Sequence, residues 1–178
     1  MTEYDDRILQ AGPRKAKISH FRPAAYIIIP LIAILFQVYV PRFVDFLSYL
    51  ELPLLVVVYF SLMRRQPVAG AVIGTVIGLV QDSLSQHPLG MFGIAKTLVG
   101  YFSASISMRF DVENNALRFI LSFFFFLFHQ VAFWVFARGL LGQNLELQIP
   151  QSIIFAFLNA VVAVPLFLIM DKLRVEEQ

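Results

Sequence analysis

Apolar residues gather into six stretches, at about 24–40, 46–63, 67–84, 89–108, 117–138 and 150–170, with polar and basic residues collected in the short segments between them. Crossing the hydrocarbon core of a bilayer takes about 20 apolar residues, roughly 17 to 25 in practice, and each stretch meets or approaches that length. The pattern predicts an all-α, six-helix transmembrane domain over 24–171, between a basic tail at 1–23 and a short tail at 172–178. The second stretch is the least regular. Glu51 and Pro53 stand in its first half and only Leu54–Met63 is cleanly apolar, so a half-buried or broken helix is expected there. Pro30 and Pro165 are expected to kink the first and sixth helices.

Charge sets the orientation. Of 14 Lys and Arg residues, Arg7, Arg14, Lys15, Lys17, Arg22, Arg64, Arg65, Arg109, Arg118, Lys172 and Arg174 fall on one side of a six-span arrangement, and only Arg42 and Arg138 fall on the other. Lys96 lies inside a span. The positive-inside rule places both termini in the cytoplasm, as an even number of spans requires. Residues 1–22 do not read as a cleaved signal, because the basic region is long and no small-residue cleavage site follows it. They read as a cytoplasmic tail able to rest on anionic lipid headgroups.

The third stretch carries Gly70, Gly74, Gly78 and Asp82 at four-residue intervals. On a helix this spacing lays a groove free of side chains along one face, about 18 Å long, and ends it with a carboxylate. Interior glycine weakens a soluble helix, but in lipid such small-xxx-small faces let two backbones approach closely. In the fourth stretch Lys96, Gly100 and Ala104 recur at the same interval and offer a matching face. Between the two lies Ser85-Gln86-His87-Pro88-Leu89-Gly90, so the third and fourth helices are expected to form a tight hairpin turning at Pro88, Leu89 and Gly90. Ser85 or His87 would cap the second arm, and Pro88 would occupy its first turn. Lys96 falls about 12 Å into that arm. A bare ammonium there costs at least about 2.5 kcal/mol, so Lys96 is expected to snorkel outward or to find a partner, and Asp82 across the hairpin is the residue expected to supply it.

Composition narrows the chemistry. Of 178 residues 58% are hydrophobic and 15% charged, which removes a water-soluble core from consideration. Cysteine is absent, so disulfides and thiolate ligands are excluded. His20, His87 and His129 fall in the tail, the turn and the middle of the fifth span, too dispersed for a shared metal. Asp82, Ser83, Ser85 and His87 are crowded into one turn, where a catalytic triad has no room for its geometry. No glycine-rich phosphate loop occurs. No enzyme activity, cofactor, metal or nucleic-acid partner is therefore expected. The fifth stretch is aromatic nearly all round, with Phe119, Phe123–Phe126, Phe128, Phe133, Trp134 and Phe136, and suits lipid or a broad apolar interface. His129, like Gln37 and Asn159, is expected to hydrogen-bond to a neighbouring helix.

The stretch Gly70–Ser107 resembles the signature of the rod shape-determining protein MreD family. The residues that carry it are Gly78-Leu79-Val80-Gln81-Asp82-Ser83-Leu84-Ser85, then Pro88-Leu89-Gly90-Met91-Phe92-Gly93, then Leu98-Val99-Gly100-Tyr101. Asp82, Pro88, Leu89, Gly90, Gly100 and Tyr101 take the family's marked positions, while Ser83 stands where an apolar residue is common. The resemblance implies a non-enzymatic component of the bacterial inner membrane, acting in the cell-elongation machinery that supports rod shape and lateral peptidoglycan synthesis. Its implied partners are membrane lipid and a single-span MreC-like protein, with MreB, RodA and a class B penicillin-binding transpeptidase in the wider complex. The family also looks like the membrane substrate-binding subunits of energy-coupling-factor transporters. That likeness makes a vitamin-binding subunit the alternative expectation.

Overall fold

The computed structural model describes residues 20–85, 88–143 and 148–175. Six α-helices follow one another as α1 (Ala25–Tyr39), α2 (Leu52–Arg64), α3 (Pro67–Leu84), α4 (Met91–Ser107), α5 (Asn115–Leu141) and α6 (Ile149–Asp171). Two 3-10 turns, Val40–Arg42 and Asp45–Tyr49, join α1 to α2. Five segments, Ala25–Arg42, Asp45–Arg64, Pro67–Leu84, Asn115–Leu141 and Ile149–Asp171, are long and apolar enough to cross a membrane. The 17-residue α4, about 25 Å long, runs back along α3 as the sixth. Both α1 and α6 continue as single helices through Pro30 and Pro165.

The irregular second segment is the centre of the bundle. Every residue from Pro53 to Met63 is buried, and α1, α3, α4, α5 and α6 all pack against α2. An all-round apolar helix, with Val56-Val57-Val58 at its middle, gains from being enclosed on every side. Its 13 residues span only about 20 Å, less than a bilayer core of about 30 Å, and the turn at Asp45–Tyr49 supplies the remaining length. The chain is extended at Leu50, between that turn and α2. Broken backbone is tolerated at membrane depth only where protein satisfies the freed polar groups. Asn159 on α6 does so: its Oδ1 accepts from the Glu51 N–H at 2.8 Å and its Nδ2 donates to the Tyr49 carbonyl at 2.8 Å.

The outward faces stay apolar. Ile27, Ile28, Leu31 and Ile32 on α1 are exposed, as are Val72 and Val76 on α3 and Ile153, Ile154 and Phe157 on α6. The aromatic α5 divides between the two environments, with Phe125 and Phe126 in the core and Phe124 facing out.

The two ends of the described chain meet. Strands β1 (His20–Phe21) and β2 (Arg174–Val175) pair antiparallel, with His20 opposite Val175 and Phe21 opposite Arg174. Close by, Arg118 is buried, donating from Nε to the Val112 carbonyl at 2.8 Å and from a terminal nitrogen to Asp171 at 2.6 Å. Tyr59 on α2 donates to the same carboxylate at 2.8 Å. Arg174 bonds Asp171 and reaches Glu113 at 3.1 Å. Burial disfavours the Arg174 charge, but Tyr59, Asp171 and Glu113 more than offset it and hold its pKa above the ordinary value. Arg118 entered the sequence reading only as a topology charge. Its burial could not be inferred there, because its partner lies 53 residues away at the end of α6.

Candidate functional site

The α3–α4 hairpin is the closest helix pair in the bundle, and glycine makes it so. Gly70 lies against the backbone of Gly100 and the methyl of Ala104, Gly74 against the carbonyl of Lys96, and Gly78 against the backbone of Phe92 and Gly93. Each step of four along α3 is answered by a step of four back along α4, so the groove is filled by main chain rather than by side chains. Thr75 and Thr97, which the sequence reading passed over, face each other across the seam with their hydroxyls 2.7 Å apart. Each hydroxyl is also within reach of a carbonyl of its own helix, Thr75 of Ala71 and Thr97 of Gly93; as each has a single proton, one hydroxyl donates across the seam while the other donates to its own helix.

One turn beyond Gly78, the stripe ends over the start of α4. There the Asp82 carboxylate accepts the backbone N–H groups of Gly90 (2.9 Å), Phe92 (3.1 Å) and Gly93 (3.0 Å). These donors have no partner within their own helix, and the positive end of the helix dipole favours the anion. Asp82 therefore caps α4 from the neighbouring helix. Gly90 occupies the N-cap position with φ +97, in the left-handed region that side chains avoid, although the space around it is open. Pro88 and Leu89 belong to the exposed turn and precede the helix, which begins at Met91. Of the residues expected to cap α4, Ser85 instead points back at the Asp82 carbonyl, and His87 lies outside the described residues.

The expected Asp82–Lys96 ion pair is not formed. With its backbone pressed against Gly74, Lys96 sends its side chain toward the bundle interior. There Nζ faces Glu51 Oε2 at 3.5 Å and sits over the Phe92 ring, 4.3 Å from its centroid. Lys96 is completely buried. Glu51 takes the role expected of Asp82, whose oxygens are already committed to three backbone donors. Sequence alone named Glu51 only as a blemish in the second stretch, since its nearness to Lys96 depends on α2 lying inside the bundle. His129 departs from expectation as well. It is buried and stacked on Phe92 at 5.9 Å, with neither ring nitrogen hydrogen-bonded to a protein group. Tyr101 lies on the outer surface, edge-on to Phe102.

Above this charged core opens a cavity of about 410 Å³, lined by Gln37 and Arg42 from α1 and its following turn, Ser48 and Glu51 before α2, and Gln81 and Ser85 at the end of α3. All of these lie at the end of the bundle opposite the paired strands.

The Glu51–Lys96 assignment has a measurable consequence. Removing one member of a buried ion pair costs about 3–5 kcal/mol, because the other charge is left uncompensated, whereas removing both together is close to neutral. Glu51→Gln is expected to lower the thermal stability of the detergent-purified protein and Glu51→Gln/Lys96→Met to regain most of the loss. The exchange Asp82→Lys/Lys96→Asp is expected to regain nothing. Recovery by that exchange would return the lysine to Asp82.

Comparison with known proteins places this arrangement. No curated protein and no solved structure gives a match. The family model described as rod shape-determining protein MreD matches residues 19–175, which takes in all six helices, the capped hairpin and both paired strands. The chain therefore belongs to the rod shape-determining protein MreD family.

Proposed function

We propose that the protein is a non-enzymatic, multi-pass component of the bacterial inner membrane that supports rod shape and lateral peptidoglycan synthesis by assembling partner membrane proteins. The family match over nearly the whole chain carries this reading. Both termini face the cytoplasm, on the strength of the basic residues at that end. The end of the bundle with the Asp82 cap and the cavity then faces outward. A single-span MreC-like protein is the nearest partner, and MreB, RodA and a class B penicillin-binding transpeptidase belong to the wider complex.

The work falls to shape rather than to reaction. A hairpin locked by glycine contact and a carboxylate cap presents a fixed surface of α3 and α4 to other helices. Association in lipid depends on that fit, since no hydrophobic force drives helices together there. The vitamin-binding alternative draws no support from the family match. Co-purification with an MreC-like single-span protein from the native membrane is the expected result, and Gly78→Leu is expected to abolish it while membrane insertion persists. Recovery of the complex at wild-type yield from the Gly78→Leu protein would refute assembly through this hairpin.

A further inference from the structure

Two carboxamides on the lining of the outward cavity are left unused by helix packing. Gln81 on α3 is 3% exposed and Gln37 on α1 is partly buried, and the side-chain oxygen of each is shut from solvent with no hydrogen bond from the described residues. Buried polar atoms left unmatched are costly, so the pair calls for a ligand that supplies their partners. Ser48 and Ser85 stand on the same lining with their protons already given to the Asp45 and Asp82 carbonyls, at 2.6 and 3.4 Å, and their oxygens remain as acceptors. A ligand hydroxyl both donates and accepts, so it suits a carboxamide turned either way as well as a serine oxygen.

Charge selects the other half of the ligand. Glu51 is answered by Lys96 at 3.5 Å, which leaves the floor of the cavity neutral. Arg42 is the remaining charge on the lining. No carboxylate among the described residues pairs with it, and its guanidinium lies over the Tyr39 ring, 5.3 Å from the centroid. A guanidinium fork suits phosphate oxygens. Hydroxyls on the amides and a phosphate on Arg42 describe a polyol phosphate.

Location makes that polyol phosphate the head of a lipid. The cavity sits where α1 and α3 reach the end of the bundle, and Leu84 both lines it and faces outward, continuous with exposed Leu35 on α1 and Val80 on α3. Such a surface accommodates acyl chains while the head enters the polar space. The volume of the cavity lies within the range typical of small-molecule sites, roughly 300–1,000 Å³. We infer that the cavity between α1, α3 and the start of α2 binds the headgroup of phosphatidylglycerol, its phosphate on Arg42 and its glycerol hydroxyls on Gln81 and Gln37. The outer-leaflet placement rests on the orientation proposed above; the binding itself does not.

Native mass spectrometry of the full chain, released from micelles holding equal amounts of phosphatidylglycerol, phosphatidylethanol and phosphatidylethanolamine, tests this without any partner protein. Phosphatidylethanol carries the same single negative charge as phosphatidylglycerol but no head hydroxyl. The expected result is retention of phosphatidylglycerol about tenfold above phosphatidylethanol, with the zwitterionic phosphatidylethanolamine also below phosphatidylglycerol. Gln37→Met/Gln81→Met is expected to erase the preference between the two anionic lipids. The same double variant, measured free of lipid, is expected to melt no lower than wild type, because it removes polar atoms that have no partner in the fold. Arg42→Gln, on the exposed rim, is expected to lower retention of both anionic lipids. Equal retention of phosphatidylglycerol and phosphatidylethanol by the wild-type protein, or a preference for phosphatidylethanolamine, would overturn the proposal. A lower melting temperature of the lipid-free double variant would also overturn it, making the amides part of the fold. Displacement of the lipid by free glycerol phosphate at millimolar concentration would assign the cavity to a soluble ligand and overturn the lipid assignment. Failure of the lipid preference leaves assembly with membrane partners untouched, and failure of that assembly leaves the lipid preference standing.

Discussion

Replacing Gly74 by leucine is expected to leave a protein that still inserts in the membrane but no longer holds α3 against α4. Even a methyl group at this position would land on the Lys96 carbonyl, and backbone on both sides leaves nothing flexible to move aside. Overpacking in a well-packed interior costs about 1–3 kcal/mol. Here relief requires the two helices to separate, which surrenders the contacts at Gly70 and Gly78 as well, so the effect belongs at or above the top of that range. The absence of cysteine makes the measurement clean. Thr75→Cys/Thr97→Cys places two thiols where hydroxyls now lie 2.7 Å apart, and the pair is expected to oxidise to a disulfide in the otherwise wild-type chain. Adding Gly74→Leu is expected to abolish the cross-link. Gly139→Leu, at a position where an added Cβ meets nothing within 4 Å, is expected to leave it intact. An undiminished disulfide in the Gly74→Leu protein would mean that the groove is not what sets the helix separation.

The second large effect is expected at Asp82. Alanine there strips three backbone donors at the start of α4 of their acceptor, two of the bonds lying in buried surroundings. Hydrogen bonds to a charged group are worth about 1.5–3 kcal/mol each, and three that share one carboxylate are not additive, so a loss of about 3–5 kcal/mol is expected. Asparagine separates charge from geometry. Its single carbonyl oxygen can stand where Oδ2 takes Gly90 and Gly93, but its amide then confronts the Phe92 N–H donor to donor, and an intermediate loss is expected. Hydrogen exchange at the amides of Gly90, Phe92 and Gly93 reads the cap directly, with protection falling from Asp through Asn to Ala. Equal protection in all three proteins would remove Asp82 from the role of cap.

How much of this was legible beforehand depended on whether the relevant contact was local. Gly70, Gly74, Gly78, Gly100 and Ala104 repeat at helical spacing on segments joined by a short turn, so their meeting follows from geometry the sequence carries on its face. The position of Asp82 at the mouth of the hairpin was equally plain, but its partner was not. A carboxylate and a lysine fourteen positions apart invite pairing, and backbone N–H groups at a helix start leave no mark in a list of side chains. Glu51 illustrates the opposite limit. Its role depends on α2 occupying the centre, and an apolar segment interrupted by Glu and Pro looks like a weak span until five neighbours are seen around it. Asn159 was expected to bond to another helix, and it does reach another element, but the broken backbone at Tyr49 and Glu51 that requires it was invisible. Arg118 and Asp171 were hidden for the same reason as Glu51.

The pairing of β1 with β2 imposes an order in time. His20 leaves the ribosome well before Val175, so at about 5–20 residues per second roughly 8 to 30 s separate the synthesis of the two partners. Throughout that interval the first strand has no complement, and it acquires one only when α6 has been delivered to the bilayer. The small two-strand clasp thus closes only after all six helices have been made, and a nascent product arrested before Arg174 would leave the first strand without its partner.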